Sequence, residues 1–225
     1  MSSLTRLPLI AELFSQSAIA MIGAPAADWT QLYPEEQAQI SQAVEKRRME
    51  FAAGRVAARQ ALGKLGVASQ PILIGMRRAP EWPAGVTGSI SHSAKLCTVV
   101  VGRTADVTAL GIDTEPDTPL EPELWSAVAR PDELKWLASQ MDNRQGKLAK
   151  VLFCVKESIY KAIAPSARTF IGFDDVETTI DVASGRFQAH LLRDFSGWVG
   201  GDRLSGRFIE LQGNIIAGTE VRLAK

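Results

Sequence analysis

Apolar positions recur along this chain with two different periods, and the switches between them divide it into elements. Across residues 34–65, Ile40, Val44, Phe51, Val56, Ala57, Ala61 and Leu62 keep helical spacing and Gly66 supplies a stop. That stretch predicts one long helix or two. Residues 71–74 read as a short strand, and 77–87 as a loop punctuated by Pro80, Trp82, Pro83 and Gly85. Two β-branched runs, 96–101 and 107–112, predict strands joined by a turn near Gly102-Arg103 and paired in one sheet. Residues 116–122 are rich in Pro and acidic side chains, which makes them a linker between a half spanning 1–115 and a half spanning 123–225. Beyond it, 122–129 and 131–140 predict short helices, the second opened by Pro131-Asp132-Glu133. Residues 148–163 carry a long apolar stripe and predict a helix that Pro165 ends. The remainder alternates with period two through 176–182, turns at Ser184-Gly185, and continues through 187–191, 208–211 and 215–223. The pattern as a whole predicts an α+β fold, each half a small sheet packed by helices.

Composition narrows the function more than the fold. The chain has 225 residues, 46% of them hydrophobic, enough for a substantial core. Its 25 basic and 25 acidic residues balance, so no global field draws it to nucleic acid or an anionic membrane, and any anion site is local. Arg6, Pro8, Glu12 and Gln16 interrupt the first 21 residues, which therefore lack the form of a secretory signal. Nothing approaches the roughly 20 apolar residues of a membrane span. Cys97 and Cys154 lie in apolar runs and read as buried free thiols, which suits a reducing cytoplasm.

Candidate chemistry gathers in three short segments. Asp113 and Glu115 are two apart at the end of an apolar strand, so both carboxylates leave the same face and face outward, where a divalent cation fits between them. Hard oxygen donors with room for water favour magnesium over a zinc or calcium cage, although a plain solvated strand end has the same sequence. Glu157 and Lys161 are four apart on one helix face, with Lys156 about 100° round. An ion pair accounts for them, and so does a third metal ligand, Glu157, beside a phosphate contact from Lys161 or Lys156. His92 stands in a serine-rich turn whose Ser89, Ser91 and Ser93 offer hydroxyl donors for phosphate oxygens, whereas His190 reads as structural. There is no Gly-x-Ser-x-Gly elbow, no GxxxxGK[ST] loop and no GxGxxG, which removes support for serine hydrolase, nucleoside triphosphatase and dinucleotide folds. A metal-dependent phosphohydrolase using Asp113, Glu115 and Glu157 remains the alternative.

In order and spacing, four segments resemble the 4′-phosphopantetheinyl transferases, in the group of the enterobactin synthetase component D and surfactin-type enzymes. They are Arg48-Met49-Glu50-Phe51-Ala52-Ala53-Gly54-Arg55-Val56-Ala57-Ala58-Arg59, then Trp82 through His92, then Gly111-Ile112-Asp113-Thr114-Glu115, then Lys156-Glu157-Ser158-Ile159-Tyr160-Lys161-Ala162. Gly172-Phe173-Asp174-Asp175-Val176 resembles the family's entry into its last sheet. The resemblance implies two similar halves related by a pseudo-twofold, with coenzyme A in the cleft between them. It implies transfer of the phosphopantetheine arm to a serine of an apo acyl, peptidyl or aryl carrier protein, with Mg2+ as cofactor and adenosine 3′,5′-bisphosphate as product. By the same resemblance Asp113, Glu115 and Glu157 are metal ligands, Glu157 also the candidate base, direct or through water. Lys161 binds the diphosphate, with Lys156 beside it. Ser91 and His92 touch the nucleotide phosphates, Arg47, Arg55 and Arg78 are candidates for the same anion pocket, and the enzyme is a monomer.

Overall fold

The computed structural model describes residues 10–167 and 169–222. Strand β1 (Ala18–Gly23) precedes helices α1 (Pro34–Ile40) and α2 (Glu45–Lys64), and strands β2 (Val86–His92), β3 (Cys97–Arg103) and β4 (Ala109–Pro116) follow. Helices α3 (Trp125–Val128), α4 (Pro131–Ala138) and α5 (Asp142–Ala167) then lead to strands β5 (Val176–Asp181), β6 (Arg186–Leu191), β7 (Arg203–Leu211) and β8 (Asn214–Val221). The fold is α+β, as the pattern predicts. It holds two antiparallel sheets, one of three strands in the order β1-β3-β2 and one of five in the order β4-β8-β7-β6-β5.

The two apolar runs at 96–101 and 107–112 form strands, but they do not pair. β4 hydrogen-bonds along its whole length to β8, from Ala109 opposite Val221 to Pro116 opposite Asn214. The chain therefore changes sheets within residues 104–108, where Asp106 and Val107 donate their amides to the Arg103 carbonyl. The Pro-rich residues 116–122 run from the end of β4 to the short helices that precede α5. A continuous apolar strand is one buried on both faces, and β3 and β4 are such strands. Val99 and Val101 pack on the alanine stripe of α2 through Ala53, Ala57 and Ala61, while Val100 and Leu96 meet Leu110, Ile112 and Ile216 of the second sheet. The two sheets are stacked face to face, and one-dimensional spacing cannot separate that from edge pairing.

The 34–65 stretch is two helices, α1 and α2, one of the two outcomes its spacing allows. Two other local expectations are corrected. Residues 71–74 contribute only a single bridge, Ile74 to Pro80, because Pro71 and Pro80 have no N–H to extend a ladder. Helix α5 passes through Pro165 to Ala167, since a proline in the last turn forfeits only one hydrogen bond, and the Ser166 hydroxyl caps the Ile163 carbonyl nearby. β1, six residues of alanine and aliphatic side chains, has no alternation to announce it and docks on the edge of β3. Residues 1–9, within the 21 read for a signal, lie outside those described. Among the described residues no helix is long and apolar enough to cross a membrane.

Helix α5 covers one face of the five-stranded sheet. Leu152, Val155, Ile159 and Ile163 share a buried cluster with Phe187, Ala189, Ile215 and Ala217. The closest approach falls at Gly111 on β4, where an added Cβ would overlap the Ser158 carbonyl and stand 2.8 Å from the Ala162 nitrogen. Only glycine lets the strand and helix come this near.

Lys156 belongs to this packing. It is buried, and its ammonium donates to Glu133 Oε2 (2.6 Å) and to the carbonyls of Val128 and Phe173 (3.0 Å each), tying α5 to α4 and to the loop before β5. All three of its protons are engaged in these contacts, none with the acids of β4. Glu133 in turn accepts from the Thr178 and Arg130 amides.

Two stability effects follow from these contacts. Replacing Gly111 with Ala forces β4 off α5 and should cost about 1–3 kcal/mol or more, read as a lower midpoint in thermal unfolding. Lys156→Met leaves Glu133 buried without its cation, and a urea titration should show a loss of about 3–5 kcal/mol. A neutral result for either substitution contradicts the packing described.

Candidate active site

The site begins with strand alternation. Gly111, Asp113 and Glu115 leave β4 on the face that α5 covers, and the glycine draws the helix down so that Glu157 and Lys161 arrive beside the two acids. Lys161 Nζ donates to Asp113 Oδ1 at 2.6 Å and to Ser91 Oγ at 2.9 Å. Ser91 Oγ donates to the same Oδ1 at 2.9 Å, and among the described residues Asp113 Oδ2 has no hydrogen-bond partner. Asp113 is 3% exposed, not the outward-facing carboxylate expected from its place at a strand end. The first sheet, stacked on that end of β4, is what covers it.

Burial raises the proton affinity of Glu157, the negative charges of Asp113 and Glu115 raise it further, and Lys161 offsets part of this. Glu115 is shifted up by the same two causes, burial first and then Asp113, against the Lys150 ammonium 3.5 Å away. Burial works against charge on Lys161, but Asp113 and Glu157 outweigh it and hold the ammonium protonated. The three acids thus sense one another across β4 and α5. Among the described residues, however, no three His, Cys, Asp or Glu side chains are gathered closely enough to hold a metal ion. The donor set still suits a hard divalent cation. It offers carboxylate oxygens that repel one another, and one of them, Asp113 Oδ2, is buried without a donor.

A basic cleft adjoins this cluster on the side of the first sheet. Ser89 to His92 lie on strand β2, not in a turn, so alternate residues face opposite ways. Ser89 and Ser91 point to β4, while His92 points to α2, where its Nε2 lies 2.8 Å from Arg47 Nη1 and 3.4 Å from Glu50 Oε2. Burial and the Arg47 charge depress the His92 pKa against the pull of Glu50. Two cavities, of about 160 and 110 Å³, share Arg78, Pro80 and Ile90. The first reaches Lys161 and Tyr160, the second Arg47 and His92. Arg77 and Arg78 both adopt left-handed backbone, φ 54° and 65°, a strained arrangement for non-glycine residues that turns the Arg78 side of the loop onto the cleft.

Arg55 is brought to the cleft wall but not into play. It is 5% exposed, donates from Nε to the Ile72 carbonyl at 2.6 Å and lies over the Phe51 ring, and burial lowers its pKa to about 10. Its role is to fasten the 71–74 segment to α2. The structure also adds residues that sequence reasoning passed over. Glu50 sits three residues after Arg47 on the same helix face, a spacing that marks it in retrospect. Tyr160 separates the 160 Å³ cavity from one of about 140 Å³ on the far side of Glu157, walled by Phe170, Ile171, Phe173 and Val176. A wider hollow of about 690 Å³ on the opposite face of the second sheet touches none of these residues.

Comparison with known proteins identifies the family. The family model described as the 4′-phosphopantetheinyl transferase N-terminal domain matches residues 35–102, and that of the 4′-phosphopantetheinyl transferase superfamily matches 109–202. The two meet where the chain changes sheets. The chain is 41% identical over 202 residues to 4′-phosphopantetheinyl transferase Svp of Streptomyces mobaraensis, covering 88% of this chain and 82% of that one. It is 38% identical over 192 residues to 4′-phosphopantetheinyl transferase PptT of Mycobacterium tuberculosis, covering 84% of each. It is also 35% identical over 161 residues to enterobactin synthase component D of Salmonella typhi, covering 70% of this chain and 65% of that one. With both family models matched and relatives this similar over most of its length, the chain is an enzyme that belongs to the 4′-phosphopantetheinyl transferase family.

Proposed function

We propose that the enzyme transfers the 4′-phosphopantetheine arm of coenzyme A to a serine hydroxyl of an apo carrier protein, leaving adenosine 3′,5′-bisphosphate. The observation that carries this reading is the convergence of Asp113, Glu157 and Lys161, from a strand and a helix, at the end of a cleft lined by Arg47, Arg78 and His92. A nucleotide with phosphates at both ends needs both groups of residues.

Asp113, Glu115 and Glu157, which as they stand are not gathered closely enough to share one ion, are the residues that would close on Mg2+. Bound there, the ion would lower the charge on the diphosphate and so the barrier to attack. Lys161, kept protonated by its neighbours, presents positive charge to the same phosphates, and phosphoryl chemistry is accelerated mainly by such positioning and neutralisation. Glu157 has a raised proton affinity and an exposed edge, which suits it to accept the serine proton directly or through a water. Arg47, Arg78 and His92 supply donors for the nucleotide phosphates at the other end of the cleft. The apolar walls of the cavity beyond Glu157 suit the uncharged arm. Two buried free cysteines suit an enzyme of the reducing cytoplasm. Relatives named enterobactin synthase component D support a carrier in siderophore or other secondary-metabolite assembly.

The test is mass spectrometry of apo carriers of the peptidyl, acyl and aryl types after incubation with coenzyme A and Mg2+. One phosphopantetheine mass should be added to a carrier serine, whereas free phosphopantetheine in solution would make the protein a phosphohydrolase. Asp113→Asn and Glu157→Gln keep side-chain shape and should lower transfer roughly 100- to 1,000-fold with an unchanged circular dichroism spectrum. His92→Ala should weaken coenzyme A binding about tenfold, the equivalent of 1.4 kcal/mol, in a calorimetric titration. Undiminished transfer in the first pair, or unchanged affinity in the third variant, removes those residues from the site.

A further inference from the structure

We infer that Ser91 is a positioning residue that fixes which oxygen of Asp113 is left free, rather than a contact to the nucleotide phosphates. The inference rests on the transferase reading above and goes beyond it. Ser91 Oγ donates to Asp113 Oδ1 (2.9 Å) and accepts from Lys161 Nζ (2.9 Å) and from the Thr114 amide (3.2 Å). A hydroxyl has one proton and two lone pairs, so this group is saturated. It is also 5% exposed. A phosphate oxygen would need the one proton that Asp113 already takes.

The placement follows from strand alternation. Ser89 and Ser91 face β4, and Ser89 reaches the Ile112 carbonyl at 3.5 Å, while the intervening Ile90 and the following His92 face the α2 side. Adjacent residues of one motif thus do different work: His92 lines the basic cleft, and Ser91 faces the acids. Among the described residues Ser91 is the one in the first sheet that hydrogen-bonds to both Asp113 and Lys161. It holds the strand residue and the helix residue in register and assigns Oδ1 to them, leaving Oδ2 as the oxygen of Asp113 without a donor. A group of this kind, one step removed from the reacting atoms, sets the affinity and orientation of the ligands it touches, typically by 10- to 100-fold.

The test separates the two roles by what each would move. In Ser91→Ala, the affinity of the protein alone for Mn2+, measured by electron paramagnetic resonance without nucleotide, should fall about tenfold, and kcat for transfer should fall about 10- to 100-fold. Binding of adenosine 3′,5′-bisphosphate without metal, and KM for coenzyme A, should stay within about threefold, and Ser91→Thr should restore both losses. A phosphate contact predicts the reverse, with weaker binding of the bisphosphate and unchanged Mn2+ affinity. That result overturns the inference, as does a Ser91→Ala enzyme identical to the parent. If Ser91→Ala does not fold, Ser91→Cys, which keeps a weak donor, carries the same measurements. Absence of transfer by the parent to every carrier would defeat the transferase reading, while the Mn2+ titration would still decide the role of Ser91.

Discussion

The near contact of strand β4 with helix α5 governs this molecule. At Gly111 the helix backbone occupies the volume a side chain would fill, and the acids and Lys161 lie within four residues of that point in each element. Two and four steps along the strand bring Asp113 and Glu115, and one helical turn brings Glu157 and Lys161. A larger residue would lift the helix and separate carboxylates from ammonium. The ion pair and the shifted acids therefore depend on a steric fact before they depend on electrostatics.

The second constraint is the stacking of the sheets. β4 presents one face to α5 and the other to β3, and small hydroxyls fasten it there. Thr98 meets Thr114 at 2.7 Å, and Ser91 reaches across to Asp113. The acids thus belong to one sheet and the cleft's basic wall to the other. This arrangement explains how a chain with no net charge can still offer a positive pocket. Arg47, Arg78 and Lys161 are contributed by three separate elements, with Glu50 beside the first and Asp113 beside the last.

Much of this was legible in the sequence, and the failures have particular causes. Helical and strand periods located α2, α5 and most strands, and the two-residue and four-residue spacings placed the acids and Lys161 on the correct faces. Strand pairing was not legible, because the apolar run of β3 reads the same whether its neighbour lies beside it or stacks upon it. At Lys156, a lysine beside a site glutamate, nothing local reveals that a quarter turn of helix aims it at Glu133. Arg55 is a similar case. Its target is the carbonyl of Ile72, a backbone group with no sequence signature. Ser91 was placed in a turn because serine favours turns, although here its hydroxyl is satisfied across two strands.

The short Arg47–His92 contact has a consequence for thermodynamics. With Arg47 donating, Nε2 must keep its lone pair, and the ring rests neutral in a basic corner. An incoming phosphate would reverse the local potential and favour the imidazolium, so occupancy would draw a proton from the medium. Its measured heat would then vary with the ionisation enthalpy of the buffer, and affinity would strengthen as the solution is made more acidic, until the phosphate itself takes up a proton.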